Sequence, residues 1–275
     1  MIVTLRLPLA AIVALTLLLV VPPGGASPAD SSIQVAYAVT YLHVTIGSGR
    51  WSLDVSGNHY AATASGQVKG MMSLLMNGEG SGRADGVVVR SNPLPNRFAA
   101  HVVSTAENDD IDVAFQNGVV KELYATPAFP PLPKRVAVSA AVLVGVSDPL
   151  SAVIAFTGAT NDAGQSLCDR QLRIFDGRRR FDVALSFKRT ENVSVPPVFR
   201  GIGIVCSAQL FPIAGQEVKN SALKYLVESK DLEIEYASIP ETHIFVPIAA
   251  TLPTLIGTVH VDAIGLKIAN TDMKD

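Results

Sequence analysis

The segment IDVAFQNGVVKEL, residues 111–123, decides the fold class. Its apolar side chains alternate at positions 111, 113 and 115 and resume after a turn, which is the period of a β-strand with one buried face. The dipeptide Asn117-Gly118 between the two runs suits a type I′ turn, because both residues tolerate a positive φ. The segment therefore predicts an antiparallel β-hairpin.

The same alternation recurs along most of the chain. It marks strands at residues 33–41, 51–55, 60–68, 172–175 and 178–187, and in five segments between 202 and 268 that include 223–228. A turn is expected at residues 47–49, a loose glycine-rich stretch at 78–86, and a short helix at 138–146. Because twisted strands cannot stay flat across so many neighbours, we expect a mainly β protein with a curled antiparallel sheet (a half-barrel or open barrel) and one or two short helices. A closed barrel and a two-sheet sandwich are the alternatives.

The first 26 residues are predicted to be a signal peptide. Arg6 precedes an apolar run over residues 7–21, and cleavage is expected near Ala26 or Ala29. The run is shorter than the roughly 20 residues that span a bilayer, so an uncleaved anchor is the less favoured alternative. We expect a periplasmic protein that does not span the membrane, with residues 30–270 forming a single β-rich domain. Prolines between 127 and 133 suggest an internal boundary near 127–135.

The charge balance argues against nucleic acid as a partner. The leader contains Arg6 and no acidic residue, so 21 of the 22 basic residues remain in the exported chain against 24 acidic residues. A basic patch strong enough to bind a phosphate backbone would need a clear excess of lysine and arginine.

Cys168 and Cys206 are predicted to form a disulfide. They do not form a C-x-x-C pair, so zinc binding or thioredoxin-like chemistry is a poor match. An oxidising compartment and an even number of cysteines favour pairing, and two buried free thiols are the alternative.

Three segments have distinctive sequences: FDGRRRFD at 175–182, continued by LSFKR at 185–189, GVSDPLSA at 145–152 and FPIAG at 211–215. Together with the two cysteines, they make the chain resemble the DUF3108 family of exported proteobacterial proteins. The resemblance covers essentially the whole mature chain and is strongest over residues 146–215. It implies an exported β-rich domain of unknown function, and it supplies no catalytic residue.

Signals for catalysis are weak. The pentapeptide G-x-S-x-G of serine hydrolases is absent from the sequence, and Ser48 and Ser81 lie between glycines, where a turn is expected. The five histidines are well separated. His260 and Asp262 would share a strand face and could begin a metal site, but a third ligand is not visible, so a solvated strand face is favoured. We therefore expect no enzymatic activity, no cofactor and no metal.

Arg178, Arg179 and Arg180 are candidates for anion binding. Alternate strand residues face opposite sides, so Arg178 and Arg180 are expected on one face and Arg179 on the other. A guanidinium group can clamp a phosphate or carboxylate through two hydrogen bonds. The favoured alternative pairs these arginines with aspartates at 169, 176 or 182 and protects a sheet edge from aggregation.

Met71, Met72, Leu75 and Met76 are candidates for lining an apolar site. Their segment is too densely apolar for a half-exposed strand, so a short helix covering the sheet is expected. Methionine suits variable apolar ligands because it is flexible and polarizable, although it also fills gaps in ordinary cores.

These patterns favour a non-enzymatic periplasmic binding or envelope-maintenance protein that holds a lipid or small apolar molecule in a curved sheet. The alternative is a protein-interaction or scaffold domain that binds an envelope protein through its sheet edges. An unrecognised hydrolase is the least favoured interpretation.

Overall fold

The computed structural model describes residues 30–70, 78–105, 108–128, 134–156, 163–197, 199–240 and 242–270. The predicted signal peptide, residues 1–26, lies outside the described residues.

The described residues form a sheet of antiparallel strands with few helices, as predicted. The strands are β1 (Ser31–Tyr41), β2 (Val44–Ser56), β3 (His59–Val68), β4 (Gly78–Val89), β5 (Asn92–Ser104), β6 (Asn108–Gln116), β7 (Val119–Thr126), β8 (Ala155–Phe156), β9 (Gln171–Phe175), β10 (Arg180–Val195), β11 (Phe199–Ala214), β12 (Glu233–Ile239), β13 (Ile244–Thr254) and β14 (Gly257–Asn270). The helices are a 3₁₀ turn (Ala140–Leu143), α1 (Pro149–Ala152), α2 (Ala163–Cys168) and α3 (Ser221–Glu228).

One sheet contains all of these strands. Its order is β7-β6-β5-β4-β3-β2-β1-β14-β13-β12-β11-β10-β9, and the short β8 pairs with β13. Along this order, neighbouring strands are also consecutive in the chain, except in the middle, where the first strand β1 pairs with the last strand β14. There β1 pairs with β14 from Ser31 opposite Asn270 to Tyr41 opposite Val259.

The two ends of the sheet come together without pairing directly. The segment Val144–Ser147 bridges them: Val146 N–H donates to the Gly118 carbonyl in the β6–β7 turn, at 2.9 Å. Ser147 N–H donates to the Arg173 carbonyl of β9, and Phe175 N–H donates to the Ser147 carbonyl, both at 2.8 Å. The sheet is therefore curled and not closed by strand pairing, which confirms the predicted architecture.

The core lies on one face of the curled sheet, in three clusters. The first joins the middle strands β1–β3 to β12–β14 around Leu53, Ile154 and Val246. The second surrounds Cys168 and joins β9–β13 to α2, and the third packs β4–β6 against Phe175 of β9. Each cluster draws residues from strands far apart in sequence, so the hydrophobic effect stabilises the curl as a whole.

Of the turns predicted from glycine, the Asn-Gly dipeptide was correct, whereas the glycines at 47–49 and 78–86 lie in strands. The Asn117-Gly118 turn is confirmed, with φ values of 50° and 72°. The turn expected at residues 47–49 is wrong, because β1 and β2 are joined instead by Leu42 and His43, both with positive φ. The stretch 78–86 is not loose but forms most of β4. At Gly86 a Cβ atom would lie 2.2 Å from the Leu94 carbonyl oxygen, so glycine there permits a close approach of strands.

Two helix assignments also differ from expectation. Residues 223–228, expected as a strand, belong to α3, whose first turn is capped by Asn220 accepting from Leu223 N–H at 2.8 Å. The helix expected at 138–146 is reduced to the 3₁₀ turn Ala140–Leu143, and α1 starts only after Asp148. Over the described ranges, no helix has the length and apolar character needed to cross a bilayer.

The structure contains the predicted disulfide. Cys168 at the end of α2 is bonded to Cys206 in the middle of β11, and their Cα atoms are 5.4 Å apart. Both cysteines are fully buried in the second core cluster, so the bond fixes α2 on the sheet.

Candidate binding cleft

A cleft of about 1050 Å³ lies across β14 and β1–β7. It opens on the face of the sheet opposite the core, because Val35 and Trp51 are almost completely buried while their neighbours Gln34 and Arg50 are accessible. Successive strand residues face opposite sides, so the residues that alternate with the core line the cleft.

Strand register places these residues in two rows across the sheet. One row consists of Lys267, Gln34, Ser52, Thr63, Arg83, Ala99, Asp112 and Tyr124, and the other of Gly265, Ala36, Arg50, Ser65, Ser81, His101 and Asp110. Directly opposite residues in an antiparallel pair have Cβ atoms about 5 Å apart. Each row is therefore a continuous strip of mostly polar side chains.

Three cations in these rows have no acidic partner among the described residues: Arg50, Arg83 and Lys267. All three are exposed. They lie on β2, β4 and β14, so each is two strands from the next, which is about 10 Å at the usual strand spacing. This arrangement offers positive charge at intervals along the cleft.

The two aspartates that line the cleft each contact a basic side chain. Asp112 accepts from Arg97 Nη2 at 2.6 Å and from Arg97 Nε at 2.9 Å, and this contact raises the pKa of the Arg97 guanidinium. Asp110 Oδ1 lies 2.6 Å from His101 Nδ1. Arg97 offsets the charge of Asp112, and the three cations outnumber the one remaining carboxylate, Asp110, so the net charge offered to a ligand is positive.

Ser81, His101 and Asp110 stand opposite one another on β4, β5 and β6. Across the strands, the three side chains follow one another as serine, histidine and aspartate, as they do in the triad of a serine hydrolase. Within the described part of the chain, however, no hydrogen bond joins Ser81 to His101. Ser81 also lies in a regular strand and not on the sharp turn that exposes a nucleophile. No group of three His, Cys, Asp or Glu side chains suited to a metal ion occurs in the described ranges.

A second cavity of about 540 Å³ continues the cleft toward the β1–β2 turn. The two cavities share residues such as Arg50 and His101. The second also reaches Lys69, Glu79 and the exposed Ile264. The combined groove thus keeps a mixed polar and apolar lining toward that end of the sheet.

The predicted arginine cluster lies outside this cleft. Arg178 donates to both carboxylate oxygens of Asp109 at 3.0 Å and to the Pro127 carbonyl at 2.9 Å. Arg180 is buried, forms an ion pair with Asp182 and donates to the Val142 carbonyl at 3.0 Å. Arg179 is exposed. Two of the three guanidinium groups therefore have internal carboxylate partners, and anion binding at this cluster stays a prediction.

The four apolar candidates Met71, Met72, Leu75 and Met76 lie outside the described residues. Their role as an apolar ligand lining also stays a prediction.

The family model described as "Protein of unknown function (DUF3108)" matches residues 36–263. The chain belongs to the DUF3108 family. The match includes both cysteines, the arginine cluster and most of the cleft, and it ends before Lys267. Among curated proteins, none matches this DUF3108 chain.

Two solved structures are similar at low sequence identity. One is the crystal structure of a beta-barrel-like protein of the domain of unknown function DUF1849 from Brucella abortus, with a TM-score of 0.48 and 8% identity over 90% of this chain and 100% of that chain. The other is described as a "putative lipoprotein" from Parabacteroides distasonis, with a TM-score of 0.36 and 9% identity over 88% of this chain and 97% of that chain.

Sequence reasoning missed the cationic residues of the cleft. Arg50 and Lys267 are separated by most of the chain, and only the pairing of β1 with both β2 and β14 brings their strands together. The one local signal is that each occupies the position that alternates with a core residue, beside Trp51 and Leu266 respectively.

Proposed function

We propose that this protein is a non-enzymatic binding protein of the bacterial periplasm whose cleft holds a ligand bearing phosphate or carboxylate groups. The observation that carries the proposal is the set of three exposed cations, Arg50, Arg83 and Lys267, that line one cleft without acidic partners. Guanidinium groups bind planar anions through paired hydrogen bonds, and lysine supplies a mobile point charge. Such groups on alternate strands, about 10 Å apart, suit a ligand with more than one anionic centre.

The dimensions of the cleft support a ligand larger than a simple ion. A volume of about 1050 Å³ is at the upper end of small-molecule sites, which span roughly 300–1,000 Å³. Serine and threonine hydroxyls between the cations, such as those of Ser52 and Thr63, can hydrogen-bond uncharged parts of the ligand. Either an anionic lipid head group or an acidic oligosaccharide has this chemistry.

Export is supported by two features that are independent of the cleft. The apolar leader at residues 7–21 has the composition of a signal peptide, and the disulfide between Cys168 and Cys206 fits an oxidising compartment. An apolar ligand held inside the sheet, by contrast, gains no support from the described core, because residues such as Leu53 and Val246 already pack there without exposure.

Isothermal titration calorimetry with three soluble probes tests the proposal. We expect dihexanoyl-phosphatidylglycerol or trigalacturonic acid to bind at low ionic strength, and the zwitterionic dihexanoyl-phosphatidylcholine not to bind. The double variant Arg50→Gln/Arg83→Gln should weaken binding tenfold or more, because charge-assisted hydrogen bonds contribute about 1.5–3 kcal/mol each. High salt should weaken binding as well.

Arg90→Gln is the matched control, since Arg90 is an exposed arginine in the β4–β5 turn, outside the cleft. It should bind the probe like the wild type. Failure of both anionic probes to bind, or equal affinity in the Arg50/Arg83 variant, contradicts the proposal. Isolation of a stoichiometric protein partner with an unchanged cleft would favour the scaffold alternative.

A further inference from the structure

Two neighbouring hairpin turns expose large aliphatic side chains at one end of the sheet. The β1–β2 turn presents Leu42, 66% exposed, and is followed by Val44, 54% exposed. The β13–β14 turn presents Leu255 and Ile256, which are 55% and 78% exposed. The turns are side by side because β1 pairs with β14, and the Tyr41 hydroxyl donates to the Ile256 carbonyl. They form a single apolar tip, made of these four residues.

Folding does not require an aliphatic residue at position 42. Leu42 and His43 have φ values of 47° and 65°, the left-handed conformation that a type I′ turn needs. Asparagine and glycine adopt it readily, whereas leucine is disfavoured there. A disfavoured and exposed leucine points to a role outside the fold.

The parts of the two hairpins that lead to the tip carry no Asp, Glu, Lys or Arg. These parts are residues 31–49 and residues 242–261. A docking surface for a soluble protein normally has a polar rim with charged residues. Hairpin ends without these charged residues and with protruding aliphatic side chains instead suit a lipid bilayer, where burying a charge is costly.

We propose that the apolar tip inserts into the interfacial region of a lipid bilayer and holds the protein at a membrane surface. Insertion removes Leu42, Val44, Leu255 and Ile256 from water, which drives the association. The proposal goes beyond ligand binding in the cleft and does not depend on it. Insertion would also orient the cleft relative to the membrane, because the second cavity, with Ile264, extends from the cleft toward the end of the sheet that carries the tip.

Co-sedimentation with vesicles tests the tip. The sample is protein exported to the periplasm of an expressing bacterium and shown by its mass to have lost the leader. We expect it to associate with phosphatidylcholine vesicles and with phosphatidylethanolamine/phosphatidylglycerol vesicles alike, and to resist 0.5 M salt, because the attraction is apolar. The variant Leu42→Asn/His43→Gly should lower vesicle partitioning about tenfold, the effect of removing one inserted aliphatic chain.

A second variant, Leu255→Asn/Ile256→Asn, should lower partitioning by more than the first, since it removes two chains. Val218→Asn is the matched control, because Val218 is equally exposed in a loop remote in sequence from the tip. Urea unfolding should show that Leu42→Asn/His43→Gly is at least as stable as the wild type, since Asn-Gly suits the turn.

Three results would overturn the proposal: no vesicle association by the wild type, equal association by the tip variants, or a tip-dependent dimer in sedimentation velocity without vesicles. The soluble probes used for the cleft do not require the tip. Failure here therefore leaves the cleft proposal standing, and failure of the cleft leaves this one.

Discussion

Asp148 is a buried carboxyl group whose surroundings raise its pKa. It is completely buried at the start of α1, where its Oδ1 accepts from Leu150 N–H at 2.8 Å and from Ser151 N–H at 3.0 Å. Burial raises the pKa of its carboxyl to about 6, and the hydrogen bonds from Ser151 and Leu150 only partly oppose that effect. The residue caps the helix but carries an unfavourable charge above that pH.

This raised pKa predicts a pH-dependent stability. The folded state binds the Asp148 proton more tightly than the unfolded chain, so the stabilising contribution is full below about pH 4 and is lost as the pH rises through about 6. Through this one residue, the free energy of unfolding of the protein should fall by about 3 kcal/mol between about pH 4 and pH 6. Asp148→Asn keeps the cap acceptor and should flatten this part of the profile in urea unfolding.

Asp231→Asn is the control for Asp148, since Asp231 is an exposed carboxylate. It should leave the profile between pH 4 and 6 as in the wild type. An unchanged slope in Asp148→Asn would show that the buried carboxyl does not couple to folding.

At the scale of elements, the β9–β10 hairpin is held to β6 by an ion pair. Arg178 and Asp109 are joined through two hydrogen bonds at 3.0 Å, and their side chains are only 14% and 20% exposed. Gly177 beside them has a φ of 91°, and a Cβ there would lie 2.2 Å from Ile111 Cγ2. This corner is therefore a close contact between the two ends of the sheet.

Breaking the pair should destabilise the protein because it leaves one poorly hydrated charge without a partner. We expect Arg178→Ala or Asp109→Ala to lower the free energy of unfolding by about 3 kcal/mol, and the double variant to cost less than the sum. Urea unfolding measures each value. Arg97→Ala is the comparison, since the Arg97–Asp112 pair has the same two-point geometry but is far more exposed, so its loss should cost clearly less. Equal losses at the two pairs would contradict this explanation.

The strands were predictable at this scale and the turns only partly. Period-two alternation identifies β1, β6 and β10, because one face of each packs against the core. Leu42-His43 carries no turn signal, so the hairpin was placed too far along the chain. In α3, apolar residues at 223, 226 and 227 have helical spacing, and Asn220 supplies a cap, so the sequence did contain the signal that a strand assignment overlooked.

For the whole molecule, the disulfide is the one covalent link between distant parts of the chain. Cys168 and Cys206 are 38 residues apart in sequence and join α2 to the sheet. We expect Cys168→Ala/Cys206→Ala to lower the free energy of unfolding by about 4 kcal/mol, because the link restricts the unfolded chain. Urea unfolding of the variant should coincide with that of the reduced wild type. A variant as stable as the oxidised protein would rule out a stabilising role.

The sequence alone determined a curled antiparallel sheet with a disulfide, because alternation and turn dipeptides are local properties and the chain has two cysteines. Export stays a prediction from the apolar leader. The sequence also contained the resemblance to DUF3108. Tertiary structure decided the rest. The pairing of β1 with β14 brings Lys267 near Arg50, the same pairing sets Leu42 beside Ile256, and the approach of the sheet ends gives Arg178 the partner Asp109. These pairs are separated by roughly 70 to more than 200 residues, and no local pattern encodes the register that joins them.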